Sequence, residues 1–165
     1  VAFYQFYQLT YLKRGMQGYL NYEFFREIIK LIPENILLVM ALDKGGNYVA
    51  GALNFYDSKK LYGRYWGCFE DFDSLHFETC YYQGIEFCIE NDLSCFDPGV
   101  QGEHKIKRGF CPTETYSAHW IKDERFREAI DDFLLREQTH VKNYNEDRKK
   151  LLPFKKEITA KIYER

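Results

Sequence analysis

The chain has 165 residues, of which 45% are hydrophobic and 18% aromatic, and this composition predicts a protein with a sizeable core. The formal net charge of -2 argues against a nucleic-acid binder whose whole surface is basic. Five cysteines without a C-x-x-C pair and four histidines without ligand spacing argue against a disulfide framework and a metal site. Because no apolar run approaches the roughly 20 residues of a membrane span, and no signal peptide opens the chain, we expect a soluble, cytoplasmic protein.

Residues 1–33 predict two helices. Apolar residues recur at near-helical spacing over residues 1–10, and glycines at positions 15 and 18 end that segment. Asn21 is placed to cap the second helix, and Pro33 ends it. One face of the second helix carries the apolar residues Phe24, Phe25, Ile28, Ile29 and Ile32. Such a stripe packs on a core or lines a ligand pocket, and we favour the core.

A meander of three antiparallel strands is predicted next, over residues 36–42, 48–56 and 61–69. The second strand is apolar on both faces, so we expect it to be central and covered on both sides. Gly63 and Gly67 interrupt the third strand, which predicts a bulge or a ligand lying against the backbone. Arg64 lies among aromatic residues there and needs a carboxylate, a phosphate or a ring face as its partner. We favour a bent strand with an internal ion pair, and a ligand contact is the alternative.

The rest of the chain alternates between strand and helix signals. A helix over residues 77–91 is predicted to pack on the sheet, with Gly84 allowing a close approach. A short strand ending at Phe96 follows, and a strand, a helix and a strand in this order predict a parallel pairing. Residues 113–121 alternate weakly and predict a further strand. Asp123 is placed to cap a long helix of about 45 Å, if it continues to Leu152, and a basic tail over residues 153–165 follows.

The segment FDPGVQGEHKIKRGF, residues 96–110, concentrates chemically capable groups between backbone-permissive residues. A turn signal opens it, in which proline fixes φ and glycine permits positive φ. The groups that follow before the closing Gly109 and Phe110 are Gly102, Glu103, His104, Lys105, Lys107 and Arg108. A solvated surface loop has a similar composition, so residue types alone leave a functional and a bland interpretation open.

Four stretches together carry a family resemblance: YGRYWG at residues 62–67, LHFETCYYQGIEFCIE at 75–90, FDPGVQGEHKIKRGF at 96–110 and SAHW at 117–120. They resemble the bacterial FemAB-like peptidoglycan biosynthesis/recognition proteins, which are predicted N-acyltransferases of the GNAT superfamily. The resemblance implies a GNAT-type α/β fold over residues 1–152, in which helices flank a mixed, mainly antiparallel sheet. It also implies a protein with two such halves. The chain opens at Val1 inside a predicted helix, which indicates a piece of a longer protein, and the resemblance implies that this piece is the C-terminal half.

The resemblance implies transfer of an acyl or aminoacyl group to an amine acceptor. The lysine of the family's loop corresponds to Lys105 or Lys107, and a lysine there stabilises an oxyanion or neutralises a phosphate. His104 or Glu103 would remove the proton of the amine. The expected catalytic residues are therefore Lys105, His104 and Glu103. The expected substrate-binding residues are Tyr62, Arg64, Tyr65, Trp66, Asp97, Gly102, Lys107 and Arg108.

The acyl donor implied by the resemblance is an acyl-CoA or an aminoacyl-tRNA, with no metal. GNAT acetyltransferases hold the pyrophosphate of coenzyme A with an Arg/Gln-x-x-Gly-x-Gly/Ala motif at a helix N-terminus. The nearest string here, residues 64–69, lacks the last small residue, and it is followed by the acidic residues Glu70, Asp71 and Asp73. Because these carboxylates would repel a pyrophosphate, we expect that this half does not bind acetyl-CoA in the usual way.

The expected partner is a small-molecule or peptide amine acceptor. The basic tail fits contact with a tRNA or a phosphate, and a solvated chain end is the interpretation we favour. A surface left by a missing half would also favour pairing with a second copy of the chain. The alternative function is a non-catalytic module that recognises an amino-sugar or a peptide, or that stabilises its partner half. A perturbed pKa at His104 or Lys105 would favour catalysis, and a fully solvated loop would favour the module.

Overall fold

The computed structural model describes residues 1–100, 102–155, 157, 158 and 162. The chain divides into two compact units, Val1–Val100 and Gln101–Arg165. The first unit contains, in chain order, α1 (Ala2–Leu12), α2 (Tyr22–Leu31), a 3₁₀ turn (Pro33–Asn35), β1 (Ile36–Leu42), β2 (Tyr48–Tyr56), β3 (Lys60–Cys68), α3 (Leu75–Phe77), a π-helical turn (Glu78–Tyr82), α4 (Gln83–Glu90) and β4 (Cys95–Asp97). The second unit contains a 3₁₀ helix (Glu103–Arg108) and α5 (Glu124–Lys149).

The first unit is built on a sheet with the strand order β1-β2-β3-β4. The first three strands form the predicted antiparallel meander, and β4 pairs in parallel with β3. Strand β2 lies between two neighbours, and its residues 50–54 are all buried, as its two apolar faces predict. Helices α1 and α4 pack against the sheet. The mixed α/β fold class is therefore confirmed, whereas the GNAT superfamily placement and the single domain over residues 1–152 stay predictions.

The third strand contains a bulge, as its glycines predict. Leu53 pairs with Tyr65 and Asn54 pairs with Gly63, so Arg64 is an extra residue that β2 does not match. A bulge of this kind re-aims the side chain of the inserted residue. The position of Arg64 is therefore set by the backbone of β3 and not by the regular alternation of a strand.

Two glycines allow helices to approach the sheet closely. A Cβ atom on Gly67 would overlap the carbonyl oxygen of Phe6 in α1, and one on Gly84 would lie 2.6 Å from Cε1 of Phe96. The close approach predicted at Gly84 is thus confirmed. From the sequence, a ligand lying against the backbone was one possible explanation for a glycine at position 67. The structure explains Gly67 by the packing of α1 on β3.

Aromatic rings build the core of the first unit. Phe3, Tyr7, Phe25 and Leu53 form a buried cluster, and Tyr7 is only 1% exposed. The centroid of the Phe25 ring lies 5.8 Å from that of Phe3 and 5.0 Å from that of Tyr7, with the rings tilted against each other. Such tilted pairs are favoured by the quadrupole of the ring. The high aromatic content of the sequence is therefore used for packing.

Helix α2 begins at the predicted cap. The side-chain oxygen of Asn21 accepts a hydrogen bond of 2.9 Å from the amide of Phe24, which satisfies one of the open amides of the first turn. Its apolar face is covered only in part, because Phe25 is buried whereas Ile29 is 50% exposed. Ile29 borders a cleft of about 440 Å³ whose lining comes from α1, α2, β1 and β2. The core interpretation of this face is therefore correct for Phe25 and incomplete for Ile29.

The second unit contains one long helix. The side chain of Asp123 accepts a hydrogen bond of 3.1 Å from the amide of Phe126, which confirms the predicted cap. Helix α5 ends at Lys149, and its 26 residues span about 39 Å. Two apolar side chains of this helix, Phe126 and Phe133, are 60% and 54% exposed. Of the predicted basic tail, residues 156, 159–161 and 163–165 lie outside the described residues.

The strand predicted over residues 113–121 is wrong. All of these residues are described, and they form neither a strand nor a helix. The side chains of Tyr116 and Trp120 are 89% and 81% exposed. A strand is stabilised by cross-strand pairs and by burial of one face, and a weakly alternating segment with exposed rings gains neither.

Candidate functional site

The predicted site residues fall into both compact units. The first unit holds Tyr62, Arg64, Tyr65, Trp66 and Asp97, on β3 and β4. The second unit holds Gly102 and the residues of the 3₁₀ helix, namely Glu103, His104, Lys105, Lys107 and Arg108. The expectation that both groups surround one reacting centre stays a prediction.

The candidate catalytic segment of the second unit forms a 3₁₀ helix bounded by two glycines. Gly102 has a φ of 103° and Gly109 has a φ of 90°, which are backbone conformations that other residues rarely adopt. The amide of Lys105 donates to the carbonyl of Gly102 at 3.2 Å, and the amide of Gly109 donates to the carbonyl of Ile106 at 3.0 Å. The glycines thus determine where this turn begins and ends.

His104 packs against the backbone of Gly102. A Cβ atom on Gly102 would overlap Cε1 of the imidazole, so the ring occupies the space that a side chain would take. The carbonyl of His104 accepts a hydrogen bond of 2.9 Å from Nη1 of Arg108. Partial burial of the ring, and then the positive charges of Arg108 and Lys105, lower the pKa of His104 from its ordinary value. The lowered pKa favours the neutral imidazole, which is the form that accepts a proton.

Replacing Gly102 with alanine is expected to raise the pKa of His104. The new methyl group would displace the ring into solvent, and burial is the largest cause of the lowered pKa. An NMR titration of the His104 ring protons measures this as a midpoint at higher pH. Gly46→Ala is the matched control, because Gly46 also has a positive φ but has open space around its Cβ position. An unchanged His104 midpoint in the Gly102 variant would contradict this account.

Glu103 is engaged with α5. Its Oε1 atom accepts a hydrogen bond of 2.7 Å from the hydroxyl of Tyr144 and forms an ion pair of 2.9 Å with Nη2 of Arg148. The guanidinium of Arg148 also lies over the ring of Tyr144, 4.6 Å from its centroid. Glu103 thus joins the 3₁₀ helix to α5, and His104 is the better placed of the two candidate bases. The spacing of Tyr144 and Arg148, four residues apart on one helix, is the sequence signal for this contact.

Exposure distinguishes the two candidate lysines. Lys105 is partly buried and lies near enough to His104 to lower its pKa, whereas Lys107 is exposed. A positive charge stabilises a developing oxyanion more strongly where water is partly excluded. The geometry therefore favours Lys105 as the functional lysine.

In the first unit, Arg64 contacts a ring face and a phenol. Its guanidinium carbon lies 5.0 Å from the centroid of the Tyr65 ring, and its Nη2 atom lies 3.5 Å from the hydroxyl of Tyr19. The hydroxyls of Tyr19 and Tyr65 are 2.5 Å apart. The expected internal ion pair is thus replaced by a ring face, which was among the predicted partners, and by a phenol. Sequence reasoning missed Tyr19. The sequence shows it only as an aromatic residue between Gly18 and the cap of α2.

The remaining candidates of the first unit make structural contacts. Tyr62 donates a hydrogen bond of 3.1 Å to Asp57, and this bond raises the pKa of the phenol. Asp97 forms an ion pair of 3.3 Å with Lys60, and its other carboxylate oxygen accepts from the amide of Gly99 at 3.0 Å. These bonds hold the end of β4 next to the start of β3.

Trp66 meets a histidine that sequence reasoning did not single out. Its ring centroid lies 5.2 Å from that of His76, in an edge-on arrangement. His76 belongs to α3, so this contact joins β3 to the helix that follows it. Trp66 therefore has a packing partner in its own unit.

The described residues contain neither a cluster of three or more His, Cys, Asp or Glu side chains that could hold a metal ion nor a helix that is long and apolar enough to cross a membrane. The five cysteines are free thiols. Burial raises the pKa of the thiols of Cys68 and Cys88. Because the thiolate is the nucleophile, these two buried cysteines are poor candidates for covalent catalysis.

The fold and its side chains define a mixed α/β protein that carries a histidine and a lysine on one short turn. A family model described as peptidoglycan biosynthesis/recognition, FemAB_like, matches residues 1–156. The protein therefore belongs to the FemAB-like family, and the resemblance carried by the four sequence stretches is confirmed. No curated protein and no solved structure matches the chain.

Proposed function

We propose that the protein is an N-acyltransferase that acts in peptidoglycan biosynthesis, with His104 as the base and Lys105 as the oxyanion stabiliser. The observation that carries this proposal is the environment of His104. Burial and two neighbouring cations lower its pKa and so favour the neutral ring, which can accept a proton, and one of those cations is Lys105. When an amine attacks an acyl ester, a base must take the proton of the amine and a positive charge must stabilise the oxyanion. His104 and Lys105 would supply these two groups side by side.

In the proposed reaction the acyl carbon gains a bond to the amine nitrogen and loses its bond to the donor. The amine nitrogen attacks the carbonyl carbon, and the carbon–nitrogen bond forms as Lys105 stabilises the negative oxygen of the tetrahedral intermediate. His104 takes the proton of the amine. The bond to the donor oxygen or sulfur then breaks, and His104 returns the proton to that leaving group.

The proposed donor is an aminoacyl-tRNA, with acyl-CoA as the competing donor. Glu70, Asp71 and Asp73 follow β3, where a pyrophosphate of coenzyme A would approach in an ordinary acetyltransferase, and they oppose its negative charge. Gly67, the glycine of the corresponding string, is needed for the packing of α1 on β3. Both observations argue against a usual coenzyme A site after β3.

A thermal-shift experiment tests the donor and the catalytic function together. The chain is melted with an aminoacylated RNA minihelix, with the same minihelix uncharged, with acetyl-CoA and with free CoA. A ligand that binds the folded state raises the melting temperature, and we expect the charged minihelix to do so more than the uncharged one. Stabilisation by CoA would contradict the donor proposal, and no shift with any donor would contradict acyl transfer by this chain.

A non-catalytic recognition module is the second candidate. The observation in its favour is the engagement of Glu103, since one of the three predicted catalytic side chains is held by Tyr144 and Arg148 in a structural contact. A module of this kind would bind a peptidoglycan fragment without converting it. Stabilisation by such a fragment, with none by any donor, would favour the module over the enzyme.

A further inference from the structure

Tyr19, Arg64 and Tyr65 converge on one point at the surface of the first unit. The two phenol oxygens are 2.5 Å apart, so one hydroxyl donates to the other and the second hydroxyl keeps its proton for another acceptor. Nη2 of Arg64 faces the Tyr19 oxygen at 3.5 Å, while the face of the guanidinium lies over the Tyr65 ring. The side chain of Tyr19 is 64% exposed, so the point of convergence is open to solvent.

The surroundings hold these groups in place before any ligand arrives. The ring of Tyr7, which is 1% exposed, lies edge-on to both Tyr19 and Tyr65, with centroids 6.5 Å and 5.2 Å away. The hydroxyl of Tyr7 accepts a hydrogen bond of 3.1 Å from the amide of Leu20. This bond fixes the link between α1 and α2, residues 13–21, which carries Tyr19. A Cβ atom on Gly18 would lie 2.6 Å from Cε1 of Tyr7, so only glycine lets this link pass over the ring. Donors that are fixed in advance lose less entropy on binding.

The donors reinforce one another. The hydrogen bond between Tyr19 and Tyr65 is the largest cause of the lowered pKa of Tyr19, and Tyr11 and Arg64 act in the same direction. A phenol oxygen that accepts such bonds has a more acidic proton, which makes its own O–H group a stronger donor. The outward-facing chemistry is therefore one guanidinium and one strengthened hydroxyl, which together suit an oxyanion with a single negative charge.

We propose that Tyr19, Arg64 and Tyr65 form a binding site for a carboxylate group of a ligand. One positive charge balances one carboxylate, whereas a phosphate with up to two negative charges would call for further cations. The planar guanidinium also matches the two oxygens of a carboxylate. This site goes beyond the proposed acyl transfer, because it assigns a ligand class and adds Tyr19, and it stands whether or not the chain is an enzyme.

An NMR titration tests the proposal without any acyl donor. Acetate and its neutral analogue acetamide are added to the ¹⁵N-labelled chain, and the Nε–Hε resonance of Arg64 is followed. We expect a saturating shift with acetate and none with acetamide. Inorganic phosphate is the third probe, and tighter binding of phosphate than of acetate would overturn the carboxylate assignment. Equal shifts with acetate and acetamide, or no saturable shift with acetate, would overturn the proposal.

Variants separate this site from a purely structural role of the tyrosine pair. Arg64→Gln is expected to abolish acetate binding, followed on the backbone amides of β3, and Tyr19→Phe to weaken it about tenfold, as for loss of a hydrogen bond to a charged group. Tyr48→Phe is the control tyrosine of the first unit, and it should leave the affinity unchanged because Tyr48 lies five residues along β2 from Leu53, the residue that pairs with Tyr65. A melting curve for each variant reports its folding. Unchanged affinity in a folded Arg64→Gln variant would overturn the proposal.

Discussion

Replacing Gly67 with alanine is expected to lower the free energy of unfolding of the first unit by about 3 kcal/mol. The new Cβ atom would overlap the carbonyl oxygen of Phe6 and lie 2.5 Å from its carbonyl carbon. These are backbone atoms in the middle of α1, so they cannot rotate away as a flexible side chain can. The methyl group therefore forces α1 away from β3 and opens the aromatic core. Urea unfolding followed by near-UV circular dichroism measures the loss.

Gly63→Ala is the matched control for this prediction. Gly63 lies on the same strand, but the nearest atom to its Cβ position is Cα of Pro98 at 3.4 Å, which is an ordinary van der Waals contact. We expect its effect on the free energy of unfolding to stay within about 1 kcal/mol. Equal losses in the two variants would show that glycine flexibility in β3, and not the contact with Phe6, determines the effect.

Local signals were sufficient for the two helix caps and for most of the first unit. Asn21 and Asp123 were identified as caps because a side-chain oxygen before an amphipathic run satisfies an open amide, a rule that needs no knowledge of the rest of the fold. The two apolar faces of β2 likewise identified it as a central strand without knowledge of its neighbours. The errors at boundaries are small, since β3 begins at Lys60 rather than at residue 61 and the helix predicted over 77–91 begins at Leu75.

Signals failed where the structure depends on partners that are distant in sequence. Residues 113–121 have some alternation, yet a strand needs a neighbour, and no sequence pattern states whether a neighbour is available. Apolar residues recur at helical spacing along α5, but Phe126 and Phe133 are more than half exposed. Periodicity tells which face of a helix is apolar, and the tertiary contacts decide whether that face is covered.

The candidate sites also differ in whether their residues are neighbours in the sequence. The segment that carries His104 and Lys105 was singled out from residue types between glycines, because the glycines and the polar groups lie next to each other in the chain, and its catalytic role stays a prediction. Tyr19 was missed, because its relation to Arg64 depends on a bulge that re-aims the arginine and on a link that passes over Tyr7. Its partners lie 45 and 46 residues away, beyond the reach of any local pattern.

Replacing His104 with alanine is expected to lower kcat of the proposed acyl transfer by a factor of about 10² to 10⁴, the usual contribution of a general base. The matched control is His119→Ala, since His119 is an exposed histidine of the same unit whose ring bonds to the Ser117 hydroxyl at 2.9 Å. The double variant that lacks both His104 and Lys105 should lose no more than about the sum of the single losses in free energy. Full activity in that double variant would exclude both residues from the chemistry.

The pH profile distinguishes a base from a residue that only packs. A protonated imidazole cannot accept the proton of the amine, so kcat should fall as the pH drops through the pKa of His104. Because burial, Arg108 and Lys105 all lower that pKa, the acid limb is expected below the ordinary histidine value of about 6.5. Arg108→Gln removes one of the cations and should move the limb to higher pH. A limb that stays in place would mean that another group titrates, whereas a shifted limb ties the rate to the protonation of His104.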